Sequence, residues 1–134
     1  MILLDTDVMI DLLRQYSPAV DWLSSLDEEE VVLPGFVVME LIQGTRNKAE
    51  QEKIEKELKS CGIAWPSPEI CDEALSVFTR YHLSSGLGIL DALIGQMAVA
   101  LNLPLYTFNQ RHYAVIPDLR TIQPYERKLS ETDG

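Results

Sequence analysis

Histidine and cysteine are scarce in this chain of 134 residues, with two of each. The histidines, His82 and His112, stand too far apart to form the one-turn pair of a helical zinc site. Cys61 and Cys71 form no C-x-x-C motif. Both sit among apolar neighbours, where free thiols pack as small hydrophobes; a single disulfide is the alternative. Glycine-rich phosphate cradles are also missing: there is no G-x-G-x-x-G, no Walker A loop and no G-x-S-x-G. No apolar run approaches the roughly 18 residues that a membrane span needs. The amino terminus lacks the basic start and small-residue cleavage site of a secretory signal, so the chain is expected in the cytosol. Basic residues are few, 11 against 21 acidic ones, for a formal net charge of −10. That balance excludes a protein that grips nucleic acid through a broad basic surface. A polyanionic substrate would need cations supplied locally, by metal ions or by a few arginines.

What is present is enough apolar material, 46% of residues, for one domain with a real core. That domain is expected over residues 1–128, followed by a frayed tail at 129–134. The runs "MILLD" (1–5), "VVL" (31–33), "GIAW" (62–65) and "PLYTF" (104–108) read as short buried strands. Such continuous apolar runs suit parallel strands covered on both faces. Helical patterns lie between them. Ser17–Pro18 and Ser67–Pro68 look like an N-cap followed by the first helical residue. Ile70, Ala74, Val77, Phe78 and Tyr81 then share one face, and His82 is read as a helix-end residue. "NKAEQEKIEKELKS" is a highly charged helix whose apolar stripe is little more than Ile54 and Leu58. "GILDALIGQMAVALN" is apolar nearly all round and should be a buried helix. Alternation of strands and helices makes this an α/β domain with a mainly parallel sheet.

Charge breaks this apolar background at four instructive places. A carboxylate taken from water without a partner costs several kcal/mol or shifts its pKa until it is neutral. Asp5 ends the first strand, and ligands of open α/β sheets gather at the carboxyl ends of strands. Capping of the helix near Val8 is the structural alternative, but Asp7 is closer to that position. Glu40 sits inside "FVVMELIQG", where a surface position on an amphipathic helix would also account for it. Asp91 interrupts the apolar "GILDALIGQMAVAL"; the helix dipole would favour it by only about 0.3–1 kcal/mol. Asn109 follows "LYTF" at the end of a strand, in a place that also suits a turn residue. Two carboxylates about 4 Å apart repel by roughly 4 kcal/mol at an effective dielectric near 20. Convergence of the three acids would therefore call for a cation, and all-oxygen ligation selects Mg²⁺ or Mn²⁺ over zinc.

"ILLDTDV" by itself is similar to the first motif of haloacid dehalogenase-type phosphatases, in which the first Asp is the nucleophile. Asp5 would take that role, but the paired-acid motif of that family is missing. A second resemblance uses four segments in order: "LLDTDVMIDLL", "VVMELIQGTR", "GILDALIGQMAVALNLPLYTFN" and "NQRHYAVIPDLRTIQP". Together they span nearly the whole chain and resemble a PIN domain, specifically the VapC-type ribonuclease toxins of toxin–antitoxin pairs. The resemblance implies a three-layer α/β/α fold around a mainly parallel sheet of four to five strands. It implies that Asp5, Glu40 and Asp91 bind one or two Mg²⁺ or Mn²⁺ ions, directly or through water. Asn109 takes the fourth position, where many members carry an acid, so one formal charge is missing. Thr6 and Thr107 would support the site, and Asp11 would be a structural acid. Arg46, Arg111 and His112 are candidates for RNA-phosphate contacts. The implied reaction is hydrolysis of an RNA phosphodiester to a 5′-phosphate and a 3′-hydroxyl. The implied partners are an RNA substrate, a VapB-like antitoxin and a second copy of the chain, with the helices at 18–26 and 47–59 as partner surfaces. A PIN-fold binding module with little activity is the remaining alternative, motivated by Asn109 and the acidic surface.

Overall fold

The computed structural model describes residues 1–127, so the tail expected at 129–134 lies outside the described residues. Five short strands form one sheet in the order β3-β2-β1-β4-β5, and every adjacent pair is parallel. They are β1 (Ile2–Leu4), β2 (Val31–Pro34), β3 (Gly62–Ala64), β4 (Leu105–Tyr106) and β5 (Thr121–Ile122). The first four fall on the apolar runs read as strands. The two-residue β5 is too short and too polar to stand out as a run; it exists because it pairs with β4, with Leu105 opposite Thr121.

The helices are α1 (Thr6–Leu13), α2 (Ser17–Ser25), α3 (Gly35–Gln43), α4 (Lys48–Glu57), α5 (Pro68–Ser85), α6 (Ile89–Leu101) and α7 (Gln110–Tyr113). Contacts link α1 to α2 and α3, and α3 to α4, while α5 packs on α6 and α6 on α7. Right-handed crossovers between parallel strands put the first group on one face and the second on the other. This is the expected three-layer arrangement. Ser67 caps α5 by accepting from the Ile70 N–H. Ser17 instead sits inside α2, whose cap is Tyr16 with no side-chain hydrogen bond. The boundary moves by one residue because Pro18 tolerates either of the first two helical positions. Cys61 and Cys71 are both free and half-buried.

Two expectations about surfaces change. The apolar stripe of α2 is not left for a partner: Trp22 packs on Tyr106 and Tyr125, with ring centroids 5.3 and 5.9 Å away. By contrast α4 buries none of its residues. Helix α6 is buried through its middle, from Ile94 to Ala98, but Ile89 and Leu101 at its ends are exposed.

The direction of chain travel along the sheet fixes where a ligand can enter. From β1 the chain moves to β2 and β3, then crosses back to add β4 and β5 on the other side of β1. The order therefore reverses between β1 and β4, and open α/β sheets bind ligands at such a switch point, outside the carboxyl ends of the strands. Leu3 and Leu4 of β1 pair with Leu105 and Tyr106 of β4 and are fully buried or nearly so. The next residues along are Asp5 and Thr107. Leu3→Ala, in the central strand, is expected to cost about 3 kcal/mol. Urea unfolding should read this as a lower midpoint with an unchanged slope.

Candidate active site

Asp5 is held at the switch point by donors from three parts of the chain. Its backbone N–H donates to the Tyr106 carbonyl oxygen at 3.0 Å, continuing the β1–β4 ladder. Its Oδ1 accepts from the Thr6 N–H at 2.8 Å. Its Oδ2 accepts from the Thr107 hydroxyl at 2.9 Å and from the Tyr113 phenol at 3.0 Å. All three side chains are buried, Asp5 to 5% exposure, Thr107 to 0% and Tyr113 to 2%. Among the described residues, no basic side chain offsets this charge. Burial, and after it the charge of Asp7, push the Asp5 carboxyl up to about 6, against the opposing pull of the Thr6, Thr107 and Tyr113 donors. Burial and the neighbouring Asp5 and Asp91 charges likewise drive the Tyr113 phenol far above its ordinary range. It therefore stays a protonated donor.

The capping role expected of Asp7 falls to Asp5 instead. Asp5 is the N-cap of α1, and Asp7 lies in the first turn of that helix. Asp7 Oδ1 accepts from the Val8 N–H and Oδ2 from the Phe108 N–H at 2.9 Å. Asp7 thus ties α1 to the segment after β4. The Thr107 hydroxyl also lies 3.4 Å from Asp7, but it has one proton and the shorter approach to Asp5 takes it. Burial raises the Asp7 pKa, opposed by the Phe108 and Val8 N–H groups and by the charge of Arg127. Asp11 behaves as a structural acid: it accepts from the Tyr125 phenol at 2.7 Å and from Arg127 at 3.0 Å.

Glu40 joins the site through Thr6, whose hydroxyl donates to Oε1 at 2.8 Å. Asp91 sits at the third position of α6, half-buried, with Oδ2 accepting from the Gly88 N–H at 3.2 Å. This corrects the expectation of a deeply buried charge, because the helix starts only two residues earlier and its end is open to solvent. Its charge still reaches Tyr113. Asn109 donates its N–H to the Thr107 hydroxyl at 3.0 Å and caps α7 without a side-chain bond. Arg111 and His112 are exposed on α7. Arg46 is exposed and paired with Glu50 at 2.7 Å. It nevertheless lines, with Glu40, a groove of about 630 Å³ between α1, α3 and α4, together with Arg14 and Lys53. Among the described residues, no three Asp, Glu, His or Cys side chains form a group able to hold a metal ion by themselves. The fold instead gives each carboxylate hydrogen-bond donors of its own.

Sequence reasoning did not single out Tyr113. Its signal was available: it lies four residues after Asn109, one helical turn on, in "NQRHY". Arg14 and Lys53 were not singled out either, since their nearness to Glu40 depends on how three helices pack.

The family model described as "PIN domain" matches residues 2–116. Ribonuclease VapC10 of Mycobacterium tuberculosis is 33% identical over 122 residues, covering 90% of this chain and 91% of that protein. The chain belongs to the PIN-domain family, in its VapC branch. Ribonuclease VapC19 of the same organism is 30% identical over 123 residues, covering 88% of this chain and 96% of the relative. A toxin–antitoxin complex from Klebsiella pneumoniae contains a chain that superposes with a TM-score of 0.76 at 24% identity, covering 95% of this chain and 100% of its own. VapBC2 from Rickettsia felis, solved with a promoter DNA fragment, matches with the same TM-score, 0.76, at 23% identity, covering 91% and 98%. These two share the fold. The match to PIN domains leaves the phosphatase reading of "DTD" unsupported.

In this PIN domain the elevated Asp5 pKa has a consequence for stability. Its folded value of about 6 lies above the unfolded value near 3.8. The folded state therefore holds a proton that the unfolded state has lost, and stability falls as pH rises through this window. A shift of that size corresponds to at most about 3 kcal/mol. In metal-free buffer, Asp5→Asn is expected to melt higher than the parent at pH 7.5 and to draw level with it near pH 4. Equal melting differences at both pH values would contradict this account.

Proposed function

We propose that this PIN domain is a divalent-metal-dependent endoribonuclease that hydrolyses RNA phosphodiester bonds and acts as the toxin of a toxin–antitoxin pair. The observation that carries the reading is Asp5, a buried carboxylate at the sheet's switch point with a raised pKa and no basic partner. A strongly perturbed acid in such a place is a functional candidate with a physical reason. What suits Mg²⁺ or Mn²⁺ is the chemistry of the candidate ligands, which are all carboxylates: a Mg²⁺ ion keeps several waters and needs only one or two protein carboxylates, so a ready-made group of three acids is not required. Asp5 would hold the ion, with Glu40 and Asp91 contributing directly or through water, since both carboxylates already accept hydrogen bonds. When bound, the ion supplies Lewis acidity, an acidified water and charge stabilisation on phosphate oxygens.

The protein's own groups do the positioning. Thr107 and Tyr113 orient the Asp5 carboxylate, and Thr6 orients Glu40. Arg14, Arg46 and Lys53 line the groove beside Glu40, where Glu40, Glu50 and Glu57 match them in number. The three cations offer a phosphate backbone individual points of contact, while the acidic surface of a protein of net charge −10 disfavours indiscriminate RNA binding. Arg111, His112 and Asn109, exposed beyond β4, are further candidates for contact with substrate. Relatives solved as toxin–antitoxin complexes support a small antitoxin partner here. The unburied α4 and the exposed Met39, Trp65, Leu83 and Ile89 offer surface for an antitoxin or a second copy.

Incubation with structured RNA and Mg²⁺ or Mn²⁺ tests the reading. Cleavage products should carry 5′-phosphates. Asp5→Ala and Asp91→Ala should each lower the rate by more than the roughly 100-fold that loss of an outer hydrogen-bond partner costs a metal site. Cleavage that survives either substitution, or excess chelator, would sink the assignment.

A further inference from the structure

A carboxylate offers two oxygens, each with two lone-pair directions. On Asp5 these are used unequally. Among the described residues, Oδ2 accepts two hydrogen bonds, from Thr107 at 2.9 Å and from Tyr113 at 3.0 Å, whereas Oδ1 accepts only the Thr6 N–H at 2.8 Å. We propose that Tyr113 is a positioning residue of this site, which together with Thr107 saturates Oδ2 so that Asp5 meets a divalent cation through Oδ1 alone. The proposal rests on the metal-dependent reading above and specifies how the key ligand is presented.

Three observations support it. The donors come from separate elements: Thr107 directly follows β4, and Tyr113 ends α7. The carboxylate plane is therefore fixed from two directions, and turning it breaks a buried bond. Each such loss leaves a desolvated polar atom, worth about 1–3 kcal/mol. Tyr113 itself has little freedom, because its ring is buried against α6 at Gly95. A Cβ on Gly95 would lie 3.4 Å from Tyr113 Cδ1 and 2.5 Å from Ile116 Cδ1, so a bare backbone is what admits both side chains. Finally, one-oxygen presentation suits the ion. Mg²⁺ demands near-octahedral geometry, which a four-membered chelate by both oxygens of one carboxylate distorts.

Calorimetric titration of the full chain with Mn²⁺ separates this role from mere packing, because Tyr113→Phe keeps the ring and removes only the donor. Tyr113→Phe is expected to weaken Mn²⁺ binding about tenfold, with kcat on RNA lowered and KM within twofold of the parent. Thr107→Val should weaken Mn²⁺ similarly, and Thr107→Ser, which keeps the hydroxyl, should restore it. Circular dichroism establishes that each variant is folded; should Tyr113→Phe fail to fold, the Val–Ser pair decides. Mn²⁺ affinity within twofold of the parent for both Tyr113→Phe and Thr107→Val, alongside loss of binding in Asp5→Ala, overturns the positioning role and leaves the metal site standing. Parent-like binding in Asp5→Ala removes the metal reading itself, and the positioning role with it.

Discussion

A carboxylate with almost no access to water must be held by donors that the fold delivers, and for Asp5 those donors are far away in sequence. Thr107 is 102 positions distant and Tyr113 is 108. Only the return crossover through α5 and α6, which lays β4 beside β1, brings them within reach. The arrangement works in both directions. The sheet's switch point creates a polar opening in an otherwise apolar core, and the three-way hydrogen bonding at Asp5 closes it, with no buried side-chain nitrogen or oxygen left unpaired among the described residues. The described part of the site is thus a product of long-range topology. Local sequence supplies the acid and the Thr6 N–H, and the last crossover supplies the Thr107 and Tyr113 hydroxyls that complete its hydrogen bonding.

Charge is managed at the same scale. A chain with 21 acidic and 11 basic residues cannot rely on its general field to attract a polyanion. Several cations are instead set where they do specific things. Arg127 bonds to Asp11, stacks over Phe108 at 4.0 Å and donates to the Asp7 carbonyl oxygen, so it fastens the segment after β5 to α1 beside the site. The aromatic cluster of Tyr16, Trp22, Phe108 and Tyr125 surrounds that fastening. Arg14, Arg46 and Lys53 face the groove that Glu40 shares. One group of cations stabilises the scaffold, and the other is matched in its groove by Glu40, Glu50 and Glu57.

The sequence made the layered α/β architecture readable because four of the strands are uninterrupted apolar runs and the helices between them carry clear starts. It also drew attention to Asp5 as an acid at the end of such a run, but gave the capping role to Asp7, whereas Asp5 is the N-cap of α1. β5 was hidden because a two-residue strand has no periodicity of its own; its identity comes from its neighbour. The depth of Asp91 was misjudged for a related reason. Apolar residues on all sides in sequence do not bury the first turn of a helix whose end opens to solvent. Tyr113 escaped notice because aromatic residues are expected in cores, and nothing local distinguishes a core phenol from one whose hydroxyl reaches an acid across the sheet.

The comparison of Asp5 with Asp7 explains why two aspartates so close in sequence take different parts. Burial pushes both toward neutrality, and both accept backbone N–H groups. Asp7, however, has a cation in Arg127, and its two oxygens bridge α1 and the turn after β4. Its charge is already answered within the protein. Among the described residues Asp5 has only neutral donors, two on Oδ2 and one on Oδ1. A buried charge relieved by hydrogen bonds alone remains poised to gain from an added cation, whereas one already paired gains less. The asymmetry between the two sites, and not the D-x-D spacing, is what distinguishes Asp5, the proposed ligand, from Asp7, the brace between α1 and the segment after β4.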